Sequence, residues 1–354
     1  MVSGSFWRRW FADRSPARSP PPSTTAAVDE APAVGQPVEA PPAPPEPPVA
    51  ELHAAKAAPG VREITTMAEL DAVLREADAA HAISDDALRA ALASFRYVVD
   101  LAGLPSDPFS KEYTDYQLGL YELVAGRPYK VENERSTFPS SDPGSLPFPY
   151  FTESWKTVSS QLMLTGLIIK TLALPSRSSI LELGSGWGNT TLALAQMGYR
   201  VTAIDIEPHY LAMVAHRCRG LANPPRLLCR DFASVAELDD RFDAIVFDAS
   251  FHHSVDHRAL LAALVGRLKP GGKVLFAAEP IEDSLPMPWG LRLDGGSVWS
   301  TRCRGWLELG FTESYFREAA DRAGFSVEKV HHPVDEFGTM YIARPRLLRA
   351  PSHE

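Results

Sequence analysis

The residues best suited to chemistry in this chain are acids and closely spaced glycines near its middle. Gly184, Gly186 and Gly188 alternate with other residues, Glu182 precedes them, and Asp205 follows. Glycines let the backbone turn tightly and approach a ligand without an intervening Cβ. An acid about 20 residues after such a turn accepts hydrogen bonds from the hydroxyl groups of a ribose. Together these residues predict a nucleotide-binding site.

The segments around these residues predict the elements that position them. Ile180–Leu183 is an apolar run typical of a buried strand, and residues 190–196 after the glycines favour a helix. A second apolar strand, residues 200–204, leads directly to Asp205. The N-terminus of the intervening helix offers unpaired backbone N–H groups to a ligand. This succession predicts one nucleotide-binding half of a doubly wound sheet.

The glycine spacing bears on which nucleotide is bound. A dinucleotide fingerprint reads G-x-G-x-x-G/A, and Asn189 stands at its sixth position in this chain. The pattern Glu182-x-Gly184-x-Gly186-x-Gly188 instead resembles the first motif of the class I S-adenosylmethionine-dependent methyltransferases. The resemblance implies that S-adenosyl-L-methionine is the cofactor and that Asp205 holds its ribose.

Further segments resemble later motifs of the same family, in the same order. They are Asp231-Phe232 beside the adenine, the strand 242–247 ending at Asp248, and the turn and strand 268–276. A dehydrogenase is the alternative, but segments 326–330 and 339–343 predict a final antiparallel hairpin that dinucleotide folds usually lack. The cofactor-binding residues that the resemblance implies are Glu182, Gly184, Ser185, Gly186, Trp187, Gly188, Asp205, Ile206, Asp231, Phe232 and Asp248.

The predicted fold is α/β, with a doubly wound, Rossmann-like sheet of seven strands and a C-terminal antiparallel hairpin. A helical N-terminal region and a disordered, proline-rich tail are expected to precede it. The predicted boundaries are a tail over 1–60, a helical and aromatic region over 61–150, a methyltransferase domain over 151–345 with an insertion at 281–311, and a tail over 346–354.

Two amphipathic helices are predicted between residues 61 and 104. Thr66 and Glu69 have the spacing of a capping box at the start of the first helix. The second helix is expected to begin at Ser84 and to carry Phe95 and Val99 on its apolar stripe. Residues 105–150, rich in Tyr, Phe and Pro, are predicted to wrap the catalytic domain.

Three residues are candidates for the methyl-transfer chemistry itself. His252 and His253 follow the fourth strand, in a segment that resembles one common in small-molecule methyltransferases. An ordinary imidazole pKa near 6.5 suits a general base, and the alternative is that one histidine caps a helix or packs beneath the cofactor. Glu279 follows the fifth strand and is the third candidate, as a base or as an acceptor of the substrate hydroxyl. No metal site is predicted.

The insertion after the fifth strand is too long for an ordinary connection and is predicted to be an acceptor lid. Its tryptophans can stack on a sugar or aromatic ring, and its arginines can bind a carboxylate or phosphate. The alternative is that the tryptophans anchor the insertion. The residues concerned are Pro286, Pro288, Trp289, Arg292, Trp299, Arg302, Arg304 and Trp306.

Net charge and cysteine content indicate which partners and which compartment to expect. The net charge of −9 disfavours general nucleic-acid binding, and three cysteines without metal-ligand spacing favour a reducing compartment. A cytoplasmic enzyme acting on a small-molecule or saccharide acceptor is expected. A protein or nucleic-acid methyltransferase and a non-catalytic cofactor-binding scaffold are the alternatives. The aromatic and basic residues 6–11 suggest a weak membrane-surface contact, or an exposed tail without a role. The oligomeric state is left open.

Overall fold

A computed structural model describes residues 60–135, 147–333 and 336–346. The predicted tails, including the suggested membrane-contact segment at 6–11, lie outside the described residues. Within the described ranges, no helix combines the length and apolar character needed to span a bilayer.

The N-terminal region is built from helices and two short strands. In chain order its elements are β1 (Arg62–Ile64), α1 (Met67–His81), α2 (Asp85–Ala93), β2 (Phe95–Tyr97) and α3 (Lys111–Ala125). The predicted capping box is present at α1, because the Thr66 side chain accepts from the backbone N–H of Glu69 and the Glu69 carboxylate accepts from that of Thr66.

The predicted end of the second helix was wrong. Helix α2 ends at Ala93, and Phe95 begins β2, which pairs in parallel with β1. Phe95 and Tyr97 are both buried in that strand. The aromatic residues there favour a strand, and the partner strand lies 33 residues away, so the local apolar spacing alone did not reveal the pairing.

The remainder of the chain alternates strands and helices. These elements are α4 (Trp155–Leu172), β3 (Ser179–Leu183), α5 (Asn189–Gln196), β4 (Arg200–Asp205), α6 (Pro208–Arg217), β5 (Arg226–Cys229), β6 (Phe242–Asp248), α7 (His257–Val265), β7 (Leu268–Ala277), β8 (Trp289–Leu291), α8 (Gly295–Cys303), β9 (Leu309–Phe311), α9 (Glu313–Arg322), β10 (Phe325–His331) and β11 (Thr339–Pro345).

Seven of these strands form one sheet in the order β10-β11-β7-β6-β3-β4-β5. The five strands from β3 to β7 are parallel, and β11 is antiparallel to both β7 and β10. The predicted α/β fold with a C-terminal antiparallel hairpin is thereby confirmed. The order reverses at β3, which places a ligand-binding crevice outside the carboxyl ends of β3, β4 and β6.

The insertion packs on the N-terminal region. Strands β8 and β9 pair with each other, and the hydroxyl of buried Tyr113 on α3 donates to the carbonyl of Trp289, at 2.8 Å. The backbone N–H of Leu291 donates to the side-chain oxygen of Gln117, at 3.0 Å. Both regions share one apolar core with the face of the sheet that carries Phe247 and Phe276. The N-terminal region is therefore held over the same face of the sheet as the insertion.

Candidate functional site

The glycine turn between β3 and α5 has the backbone shape that the sequence predicts. Gly184, Gly186 and Gly188 have φ angles of +77°, +46° and +74°, in the left-handed region that favours glycine. A Cβ on Gly184 would lie 2.6 Å from Cβ of Ser250, whereas one on Gly186 would meet no atom within 4 Å. The turn therefore packs against the segment after β6 at one glycine and leaves open space at the next.

Asp205 lies at the end of β4 beside this turn. Its carboxylate accepts hydrogen bonds from the backbone N–H groups of Gly186, at 2.8 Å, and Glu207, at 2.9 Å. The side chain is buried, and burial raises its pKa. The oxygen bound by Gly186 also accepts from the Ser185 hydroxyl, at 3.4 Å, whereas the oxygen bound by Glu207 can accept a second hydrogen bond. Asp205 therefore both fixes the turn and keeps acceptor capacity for a ligand.

Buried Glu182 and half-buried Asp248 face the same space. Glu182 accepts a hydrogen bond from the Thr191 hydroxyl at 2.5 Å, and Asp248 accepts one from the Thr190 hydroxyl at 2.6 Å. Burial raises the pKa of Glu182 to about 8, with a smaller contribution from the neighbouring acids Asp248 and Asp205. The hydrogen bond from Thr191 acts in the opposite direction and lowers this pKa. Burial raises the pKa of Asp248 to about 6. Acids held in this way bind a cation more strongly than a neutral or anionic ligand.

A cavity of about 720 Å³ joins these features, within the size range of small-molecule sites. All eleven predicted cofactor-binding residues line it, and so does His253. His252 and Glu279 are absent from its lining. The structure thus brings together the motifs that follow β3, β4, β5 and β6. Of the two adjacent histidines, His253 lines the cavity and His252 does not.

Six residues that line the cavity come from the region before β3 and from the insertion: Tyr129, Val131, Glu134, Phe148, Gln161 and Trp306. All but Gln161 lie in segments that the sequence predicts to wrap or cover the domain, and Trp306 is the one of them proposed to contact the acceptor. Since residue 134 and residue 253 meet through tertiary packing, no local pattern indicated Glu134.

His252 is buried in a network of carboxylates. Its Nδ1 lies 2.8 Å from Glu279, and its Nε2 lies 3.5 Å from Glu308. Burial alone lowers the pKa of His252, but the two carboxylates outweigh this effect and raise it to about 9. Glu279 also accepts from the backbone N–H groups of Ser250 and Phe251, at 2.8 Å each. Burial opposes its ionisation, yet contact with His252 and these donors lowers its pKa.

His253 faces the cavity and has different neighbours. Its Nδ1 lies 3.2 Å from a carboxylate oxygen of Glu134, although the direction is unsuited to a hydrogen bond. The other oxygen of Glu134 accepts from the backbone N–H of Leu307, at 3.0 Å, which fixes that side chain. The rings of His252 and His253 are 4.3 Å apart, and Trp306 packs edge-on against His253.

Most of the large side chains of the insertion have structural partners. Trp289 is fully buried and its Nε1 donates to the Pro108 carbonyl, at 2.8 Å. The Nε1 of Trp299 donates to Asp78, and Arg302 pairs with Asp71, both on α1. Of the eight insertion residues proposed for the lid, Trp306 alone lines the cavity described here. The insertion reaches the site at one edge and is otherwise anchored to the N-terminal region.

Comparison with known proteins agrees with this geometry. Residues 180–272 match a family model described as a methyltransferase domain. This segment of the chain is a methyltransferase domain of the class I, S-adenosylmethionine-dependent family. The methyl donor of that family, S-adenosyl-L-methionine, is the cofactor of this domain.

Three curated relatives show how far the similarity extends. A segment of 109 residues is 32% identical to the S-adenosyl-L-methionine-dependent Diels-Alderase of Neonectria sp., covering 31% of this chain and 41% of that protein. The enzyme of the same description from Talaromyces variabilis is 31% identical over 44% of this chain and 55% of its own. The ubiquinone biosynthesis O-methyltransferase of Xanthomonas oryzae pv. oryzae is 27% identical over 49% of this chain and 64% of its own.

The residues present fit this cofactor. The open space at Gly186 admits a ligand close to the backbone, and Asp205 beside it retains acceptor capacity for ribose hydroxyls. Asp231 and Phe232 line the part of the cavity beyond β5, where the resemblance puts the adenine. When ionised, Glu182 and Asp248 complement the positive charges of the sulfonium and ammonium groups.

Proposed function

We propose that this protein transfers the methyl group of S-adenosyl-L-methionine to a small-molecule acceptor, of which glycan-type compounds are one class. The observation that supports this proposal is the continuous cavity that joins the cofactor-binding residues to a second end lined by Tyr129, Glu134, His253 and Trp306. A cavity of about 720 Å³ has room for a small acceptor beside the cofactor.

The reaction is a direct displacement. The acceptor's lone pair attacks the methyl carbon, the S–CH₃ bond breaks, and its electron pair returns to sulfur to give neutral S-adenosylhomocysteine. The cofactor supplies an activated methyl group, so the protein must align the two reactants and exclude water. Alignment of this kind contributes roughly 7–11 kcal/mol to lowering a barrier.

Of the three candidate catalytic residues, we assign contact with the acceptor to His253. It lines the cavity, whereas His252 is 7% exposed and engaged by two carboxylates. Glu279 is 1% exposed and accepts hydrogen bonds from two backbone groups and from the His252 ring. We therefore assign His252 and Glu279 to positioning the segment after β6, and not to proton transfer with the acceptor.

The test is label transfer with cofactor carrying a radioactive methyl group. Purified full-length protein is incubated separately with small-molecule, protein and nucleic-acid fractions of cells. We expect label only in the small-molecule fraction, accompanied by S-adenosylhomocysteine. Label in protein or nucleic acid would overturn the assignment of acceptor class.

A second candidate function is suggested by the first two relatives, which are named for a cycloaddition that depends on S-adenosyl-L-methionine. In that case the protein would bind the cofactor without breaking its S–CH₃ bond. The positive charge of the bound cofactor would stabilise the substrate during the cycloaddition. Measuring S-adenosylhomocysteine in the same incubations separates the two functions. Product formation without any S-adenosylhomocysteine would exclude methyl transfer.

A further inference from the structure

Three side chains of metal-ligating types converge beside the cavity, and one of them, His253, lines it. His252, His253 and Glu308 each bring one ligand atom into a group whose members lie within 4.8 Å of one another. Glu134 is not one of this group, although its carboxylate oxygen lies 3.2 Å from Nδ1 of His253. Because the three residues come from two distant parts of the chain, the sequence analysis predicted no metal site.

One distance within this group is that of two atoms that share an ion. At zinc–ligand distances of roughly 2.0–2.2 Å, two ligands of a tetrahedral ion lie roughly 3.3–3.6 Å apart. Nε2 of His252 lies 3.5 Å from Glu308, and all three ligand atoms lie within 4.8 Å of one another. By contrast, Nδ1 of His252 lies 2.8 Å from Glu279, which is the distance of an ordinary hydrogen bond.

The surroundings of these residues are also those of a metal site. Glu279 accepts from Nδ1 of His252, which orients the ring and directs Nε2 toward Glu308. A carboxylate behind a ligating histidine is the usual arrangement in metal sites, because it fixes the tautomer and raises the basicity of the ligand. Glu279 is itself fixed by backbone donors from Ser250 and Phe251.

His253 lies on the cavity side of the group, and Glu134 lies beside it. Nδ1 of His253 is buried and makes no hydrogen bond within the described part of the chain. The Leu307 N–H holds one oxygen of Glu134, and the other oxygen is directed toward His253. An imidazole nitrogen in this position is suited to accept a metal ion.

We propose that His252, His253 and Glu308 bind one divalent transition-metal ion of the zinc type, with Glu279 orienting His252. Two imidazoles and a carboxylate are ligands that suit zinc and its neighbours better than magnesium or calcium. This proposal about binding is independent of the reaction that the protein catalyses.

A consequence for the acceptor rests on the proposed function. An ion at this end of the cavity lowers the pKa of a hydroxyl group bound to it. The hydroxyl releases its proton to solvent, and the resulting oxygen anion forms the new O–CH₃ bond as the S–CH₃ bond breaks. The acceptor class is then a hydroxylated compound that coordinates the ion through the oxygen that is methylated, or through that oxygen and a neighbouring one.

The binding test uses full-length protein stripped of metal with a chelator and titrated with ZnCl₂ by calorimetry. Co²⁺ is titrated in parallel, with its visible absorption bands as the readout. We expect one ion per chain, with a dissociation constant of micromolar or below. A wild-type protein that folds, binds S-adenosyl-L-methionine and takes up neither ion would overturn the metal site and leave the proposed function intact.

Variants identify the ligands. We expect His253→Gln to weaken zinc binding at least tenfold, whereas His331→Gln, at an exposed histidine on β10, leaves it unchanged. Equal zinc affinity in wild type and His253→Gln would overturn the assignment. Glu308→Gln, if folded, is expected to lose the cobalt absorption bands. The rise in melting temperature of the wild type with added zinc provides a second measurement that requires no variant.

Discussion

The buried acids of the cofactor site predict that affinity for S-adenosyl-L-methionine increases with pH. A carboxyl group is neutral below its pKa and negatively charged above it. With a pKa of about 8, Glu182 is mostly neutral at pH 7 in the free protein. A cationic ligand binds preferentially to the ionised form, so binding must first remove a proton. Affinity is therefore expected to rise as the pH passes through 8.

The magnitude follows from the ionised fraction of Glu182. With a pKa of about 8, that fraction rises from about 0.1 at pH 7 to about 0.8 at pH 8.5. If only the ionised form binds the cation, the apparent affinity rises about eightfold, or about 1.2 kcal/mol. Asp248, with a pKa of about 6, adds a further loss of affinity at lower pH.

Isothermal titration calorimetry across pH 5.5–9 measures this dependence. S-adenosylhomocysteine is the matched control, because it lacks the sulfonium charge and keeps the adenosine and amino-acid groups. Glu182→Gln removes the titrating group and is expected to flatten the profile above pH 7. If Glu182→Gln left the profile unchanged, the assignment of Glu182 would be refuted. The same profile for both ligands with the wild type would refute recognition of the sulfonium charge and leave the ammonium group, which both ligands carry, as the group recognised.

Three further predictions concern single residues. Asp205→Ala is expected to weaken cofactor binding about ten- to a hundredfold, through loss of one or two charge-assisted hydrogen bonds, and unchanged calorimetric affinity would contradict it. Gly184→Ala is expected to lower the melting temperature, because the new Cβ would meet Ser250 and Gly184 has a left-handed φ. Gly166→Ala, on α4, is the control, because a Cβ there meets no atom within 4 Å and should not lower the melting temperature. Equal melting temperatures for the two variants would refute this prediction. Tyr113→Phe removes a buried hydrogen bond to the insertion and should cost about 1 kcal/mol in urea unfolding without changing cofactor affinity; a changed affinity would contradict its structural role.

The methyltransferase sheet was largely predictable because its signals are local. The turn at Gly184–Gly188 needs left-handed backbone angles, and three alternating glycines reveal that need directly. Strands β3 and β6 are buried on both faces, so apart from Glu182 and Asp243 the segments 180–183 and 242–247 are apolar. The hairpin at the C-terminus follows from two short strands with a loop between them.

The N-terminal region was less predictable because its strands depend on distant partners. Strand β2 has only three residues, and its pairing with β1 joins residues 33 positions apart. The composition of the insertion likewise did not reveal which of its tryptophans and arginines face a ligand. Trp289 and Arg302 carry groups that suit ligand binding, yet packing against α1, α3 and the preceding loop engages both.

The sequence alone determined the class of nucleotide and the end of the sheet at which it binds. Backbone torsions are set by short-range preferences, and Asp205 and Asp248 stand at the ends of their strands. Tertiary structure decided what surrounds the acceptor. The neighbours of His253 and His252 there are Glu134 and Glu308, which lie 119 and 56 residues from them in the chain. Such contacts arise from the packing of the N-terminal region and the insertion over the sheet, which no local pattern encodes.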